Sequence, residues 1–226
     1  GGETVAIGTM DTDSGTVRFD GTANATLSSG WATFYNLDVD EVGTSDPTIT
    51  LPDVNVTVSG ALSVTDGTLA FDDDKDLQVD DDGATGTAIT VAANGILSNT
   101  GTGDLALAAA VANAGTITFD SSDDAGNGIA ITSTVGATQR DWAGAGTFTF
   151  TDVDVTDQTV LSGTPASITV TSGTDSGNNI NWFFGGTSGP DLTVTVYDGK
   201  AESSTITSET IRMIHWDGSV QSEGVA

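Results

Sequence analysis

Four six-residue stretches of the chain are versions of one another: 15–20 (Gly-Thr-Val-Arg-Phe-Asp), 67–72 (Gly-Thr-Leu-Ala-Phe-Asp), 115–120 (Gly-Thr-Ile-Thr-Phe-Asp) and 146–151 (Gly-Thr-Phe-Thr-Phe-Thr). In each, a glycine opens and an apolar residue stands two places before a Phe, so an extended strand points both to one face. The copies begin 52, 48 and 31 residues apart. That suits coils of about 20–25 residues, sampled two apart and then once with an inserted loop. A unit of this size buries its apolar face only against the next copy, which is the logic of a solenoid. The pattern predicts an all-β chain with a parallel β-solenoid over residues 1–184. The alternative is a β-sandwich or jelly roll, because short strands with turns about every 8–12 residues fit both.

Charge narrows the partners. Only five of the 32 acidic residues are Glu, and five Lys and Arg oppose them, for a net charge of −27. Nucleic acid and anionic membrane both need a basic footprint and are excluded as expected partners. The preference for Asp over Glu fits turn-rich β structure, where Asp bonds its own backbone and Glu has no helix to favour. The chain has no cysteine, which removes thiolate metal sites, disulfides and a cysteine nucleophile. No run of about 18 apolar residues is present, so no membrane insertion is expected. The chain starts at Gly1-Gly2 and stops at Val225-Ala226, and the expectation is a mature product or an excised piece of a longer protein.

Asp-Val-Asp occurs in two similar contexts, at 38–40 after Thr33-Phe34-Tyr35-Asn36-Leu37 and at 152–154 after Thr147-Phe148-Thr149-Phe150-Thr151. In a strand this tripeptide projects both carboxylates to one side and Val to the other. If such strands stack about 4.8 Å apart, each carboxylate pair repels by roughly 0.9 kcal/mol even at the dielectric of bulk water. A hard cation would offset that. Asp38, Asp40, Asp152 and Asp154, with Asp11 and Asp13 of the turn at 11–15, are therefore the expected ligands, and Ca²⁺ the expected ion. The competing reading is an acidic solubility surface with no specific ion. The acidic runs 72–76 and 80–82 must face solvent. Asn94 and Asn113 introduce apolar strands and are candidates for a corner asparagine ladder or for plain turn residues. Residues 105–112 have helix propensity but are expected as strand, being too short for a stable isolated helix.

Taken together, the Asn/Gly turns, the Gly-Thr-Ile-x-Phe strands and the stretch Gly-Asn-Asn-Ile-Asn-Trp-Phe-Phe at 177–184 resemble the β-helical passenger repeats of bacterial haemagglutinin-type and autotransporter-type surface proteins. The resemblance covers roughly residues 15–184. It implies a right-handed parallel β-helix exported to the cell surface, as a stalk or adhesin. Residues 185–190 (Gly-Gly-Thr-Ser-Gly-Pro) read as a linker. Beyond them, 191–226 is expected as a small β module, with strands at 192–197 and 210–216. Two strands do not bury a core alone.

Catalytic patterns are sparse. His215 is the one histidine, so no histidine triad or multi-histidine metal site is expected, and no phosphate-binding or nucleophile motif occurs. The enzyme alternative is a β-helical polysaccharide lyase or hydrolase. Its best cluster is Arg140-Asp141-Trp142, a sugar-stacking indole beside a charge pair, or else a Trp that covers the end of the core. Two carboxylates about 5–10 Å apart in an open groove beside Trp142 or Trp31 would favour that alternative. The sequence thus points to a non-enzymatic extracellular structural or adhesive protein, a surface stalk or filament subunit. Self-association head to tail by strand addition is expected, and cell-surface polysaccharide is a further candidate partner.

Overall fold

The computed structural model describes residues 14–41, 46–71, 74–81, 86–121, 128–161 and 163–185, together with the backbone of 210–214 and 220–225. The chain divides into two compact units, Gly1–Thr187 and Ser188–Ala226. In the first unit every pairing among the described strands is parallel. Its strands come as successive coils: β1 (Thr16–Phe19), β2 (Ala25–Thr26) and β3 (Thr33–Phe34), then β4 (Asn36–Asp40), β5 (Thr48–Thr50) and β6 (Val56–Val58). In the next two coils a single bent strand crosses two faces: β7 (Leu62–Ala70) with β8 (Leu77–Val79), and β9 (Thr87–Asn99) with β10 (Leu105–Leu107). There follow β11 (Ala110–Asn113), β12 (Thr116–Asp120) and β13 (Ile129–Ser133), then β14 (Arg140–Ala143), β15 (Thr147–Thr151) and β16 (Val153–Thr156). The last strands are β17 (Gln158–Thr159), β18 (Ile168–Thr171), β19 (Thr174–Gly177) and β20 (Trp182–Gly185).

The fold is a parallel β-solenoid. It makes about six turns, stepping from β1 through β4, β7, β9, β11 and β14 to β17 along the first of three faces. The second face runs β2, β5, the far halves of β7 and β9, then β12, β15, β18 and β20. The third is the seven-stranded row β3, β6, β8, β10, β13, β16, β19. Residues 105–112 are strand, as expected, split at a corner into β10 and β11.

Period-2 alternation supplies the core. On the third face Val56, Leu77, Leu105, Ile131 and Val155 stack in register, each 0–1% exposed. On the second face the motif phenylalanines form a continuous aromatic column. Phe71 meets Phe119, and Phe119 meets Phe150, with ring centroids 5.5 Å apart in both pairs. Between the first two, the intervening coil carries buried Asn99, which satisfies itself by accepting from Gly101 N–H and donating to the Gly103 carbonyl.

The motif glycines are explained by the same stacking. Thr116 pairs with Ile96 and Thr147 with Thr116, so Gly115 follows Gly95, and Gly146 follows Gly115, at one corner. A Cβ on Gly115 would sit 2.1 Å from the Ala92 carbonyl oxygen, and one on Gly146 would sit 2.5 Å from that of Gly115. The coils touch backbone to backbone there. The copy at 15–20 departs from this column: β1 pairs with β4 on the first face, not the second. The tripeptides 38–40 and 152–154 likewise occupy different faces, since β4 lies on the first face and β16 on the third.

In the second unit β21 (Thr210–Ile214) and β22 (Val220–Val225) form an antiparallel hairpin, with Thr210 opposite Val225. The partner strand at 220–225 had no sequence signal, and the expected strand at 192–197 lies outside the described residues. Among the described residues no helix is long and apolar enough to cross a membrane, which says nothing of β-barrels.

Candidate functional site

The expected cation ligands are scattered by the fold. Asp11 and Asp13 lie outside the described residues. Asp38 and Asp40 both stand outward on β4, as the alternation requires, but the neighbouring strand places Arg18 beside them. Register sets Arg18 against Asp38, its Nε is 3.6 Å from Asp38 Oδ2, and its terminal nitrogen pairs with Asp40. The repulsion expected between stacked carboxylates is thus met by a guanidinium. Asp152 is not in a strand: it turns the corner between β15 and β16 with φ 52°, while Asp154 lies on β16 beside Ala130 and Thr174. A left-handed corner residue and a strand residue do not form one liganding pair. Among the described residues no three His, Cys, Asp or Glu side chains converge to metal-binding distance.

Of the two readings open for Asn94 and Asn113, the corner ladder does not form. Asn94 pairs across to Asp66 and Asn113 to Val91, so they occupy different columns. Asn113 instead caps its own corner, accepting from Gly115 N–H and donating to the Thr147 carbonyl. A side-chain ladder does exist on the third face, in mixed form. Asn55 accepts from Asp76 N–H at 3.2 Å, Asp76 from Asp104 N–H at 3.1 Å, and Asp104 from Ala130 N–H at 2.8 Å. Each side chain reaches to the backbone of the next coil. Burial pushes the Asp104 carboxyl above its ordinary value, and Asp76 and Asp154 add to this against the opposing Ala130 N–H. Sequence reasoning missed this column because its members stand 21, 28 and 26 residues apart, and only the register aligns them.

The candidate enzyme cluster is structural. Trp142 is fully buried, donates from Nε1 to Gln158 Oε1 at 2.7 Å, and packs edge-on to Trp182. Arg140 donates from Nε to Ser133 Oγ at 2.9 Å, and Asp141 accepts from Leu161 N–H. No sugar ring has access to that indole.

The feature that sequence reasoning passed over is Glu41. The inward alternation of β4, Leu37 then Val39, continues to Glu41, so a carboxylate occupies a core position. The residue is 4% exposed, and neither carboxylate oxygen has a hydrogen-bond partner among the described residues. Its stem packs on Gly67, at φ +82°, where a Cβ would lie 2.7 Å from Glu41 Cγ. Burial raises the pKa of this carboxyl above the ordinary carboxylate range, and the charges of Asp20 and Asp66 raise it further. Beside it opens a cavity of about 490 Å³ walled by Val17, Phe19, Trp31 and Ile49, with Asp20 also on its lining. Asp20 is exposed, whereas the Glu41 oxygens are closed off from solvent. Both line the same cavity as Trp31, where the enzyme alternative expected its carboxylate pair, but only Asp20 is open to solvent there.

No family model matches the chain, and neither a curated protein nor a solved structure does. The site must be read from its own chemistry.

Proposed function

We propose that the chain is a non-enzymatic structural segment displayed outside the cell, a surface stalk or filament subunit continued head to tail by strand addition. The observation that carries this reading is the state of the end strands. At one end β1 pairs with β4, and on its other edge with no strand among the described residues, while Val17 and Phe19 are only half-buried against the core. At the other end β20 pairs with β18 alone among the described strands. There Phe184 is half-buried on the core and Phe183 is 58% exposed. Among the described residues such ends are open sheet edges, and a further coil would complete both the ladder and the core. The net charge of −27 supports end-on growth, because acidic flanks repel one another while apolar ends attract. A contact that repeats without closing builds a filament or a long stalk.

Sedimentation and electron microscopy of the chain with and without residues 186–226 test this. The strands expected within 191–226, too few to bury a core alone, are the ones proposed to add to the open edge of the next subunit, so the full chain is expected to form end-to-end assemblies that the shortened chain does not. Equal monomers of equal stability would remove strand addition by the tail.

A further inference from the structure

We propose that Glu41 anchors a calcium site, with Asp20 and Asp66 as its flanking carboxylates, at the corner where the first three coils meet. Three observations converge. First, a carboxylate sits at a core position with both oxygens unpartnered and out of solvent. A buried polar group is normally hydrogen-bonded, and a buried charge is paired or coordinates a metal. Second, its charged neighbours aggravate the deficit: Asp20 stands on the coil before and Asp66 on the coil after, where the Asp66 carbonyl accepts from Glu41 N–H at 3.3 Å. Third, the one base among the described residues of the same cavity wall, Arg18, is committed to Asp38 and Asp40. Nothing among the described residues balances Glu41.

The donors at this corner are hard oxygens. Beyond the three carboxylates, the Pro47 carbonyl oxygen lies 3.1 Å from the position of a Gly67 Cβ, on the side where the Glu41 stem packs. Ca²⁺ takes six to eight such ligands in flexible geometry and accepts waters among them, whereas Mg²⁺ demands a near-ideal octahedron. The carboxylates are not yet gathered, so binding draws the exposed Asp20 side chain inward. The adjoining cavity has room for coordinated water. Because the Glu41 oxygens are closed off, loading accompanies folding of this corner, and the ion becomes part of its stability.

The experiment refolds the full chain in Ca²⁺ or in chelator at matched ionic strength and follows thermal unfolding. Its variants are Glu41→Gln, Asp20→Asn and the double substitution Asp38→Asn with Asp40→Asn. The wild-type chain is expected to gain about 5–10 °C in Ca²⁺ at a hundredfold excess over Kd. Glu41→Gln should lose the gain, Asp20→Asn should reduce it, and the double variant should keep it. Terbium refolded into the site should also luminesce on excitation of Trp31, which shares the cavity wall, and Glu41→Gln should abolish that emission. A gain that persists in Glu41→Gln, or no gain in the wild-type chain, would overturn the proposal in favour of a diffuse acidic surface or a neutral buried acid. Neither result depends on whether the chain assembles end to end.

Discussion

Gly115 and Glu41 show at the scale of single residues how coil stacking sets what a position tolerates. Gly115 has an ordinary backbone, so its glycine is required by space: the carbonyls of Ala92 and Gly95 would lie 2.1 and 2.3 Å from an added Cβ. Gly115→Ala should therefore cost about 1–3 kcal/mol or more by overpacking, measured as a drop in the urea midpoint at unchanged slope. Glu41 is the opposite case, a side chain with room but no partner. Its folded pKa is raised by burial and then by Asp20 and Asp66. Stability from its protonated form is fully present below the unfolded carboxyl value of about 4.3 and is lost as pH rises through the raised folded value. In chelator, Glu41→Gln should thus be more stable than the wild-type chain at neutral pH, by about 1–2 kcal/mol. That advantage should shrink as pH falls through the raised folded value and be gone below about 4.3. A wild-type chain that loses stability in parallel with Glu41→Gln across this range would mean that Glu41 titrates as an ordinary exposed carboxylate.

Among the elements, the start of β10 depends on a carboxylate doing a backbone's work. Asp104 takes the Ala130 N–H at 2.8 Å, so it links two coils where the ladder of main-chain bonds is only beginning. Replacing it by alanine leaves that N–H without its acceptor and should cost about 1–3 kcal/mol. Asparagine keeps an acceptor and removes a negative charge from a column shared with Asp76 and Asp154. Asp104→Asn should accordingly be neutral or stabilising at pH 7, and urea titration of the two variants separates the contributions. Equal losses in both would show that the charge, not the acceptor, holds the corner. The corner at Asp152 and the strand at Asp38 make the same point about elements: one tripeptide is straight where register continues and bent where the chain must change face.

Across the whole molecule, an apolar column runs through every coil and ends in strands whose inward side chains are incompletely covered. Each added coil is stabilised by its neighbour alone, so stability should be roughly a sum over coils and their interfaces. End strands should open first. Hydrogen exchange should then show weakest protection in β1 and β20 for the isolated chain, rising when it assembles. Uniform protection from β1 to β20 in the unassembled chain would contradict open ends.

What the sequence by itself determined is the class of the fold and its repeat. Gly-Thr-x-x-Phe with period-2 alternation dictates short strands with one apolar face, and copies about one or two coils apart favour stacking over a sandwich. Strand at residues 105–112 followed from the same logic, against local helix propensity, because small residues fit a narrow interior. Register was decided only by the tertiary structure, since a parallel partner is specified by which coil lies beneath and not by residues nearby in the chain. That is why the copy at 15–20 went to a different face, why Asn55, Asp76 and Asp104 became a ladder in place of Asn94 and Asn113, and why Arg18 came to rest on Asp38 and Asp40. It is also why Glu41, one of five glutamates in an acidic chain, carried no signal until the alternation of β4 turned it inward among residues with no charge to meet it.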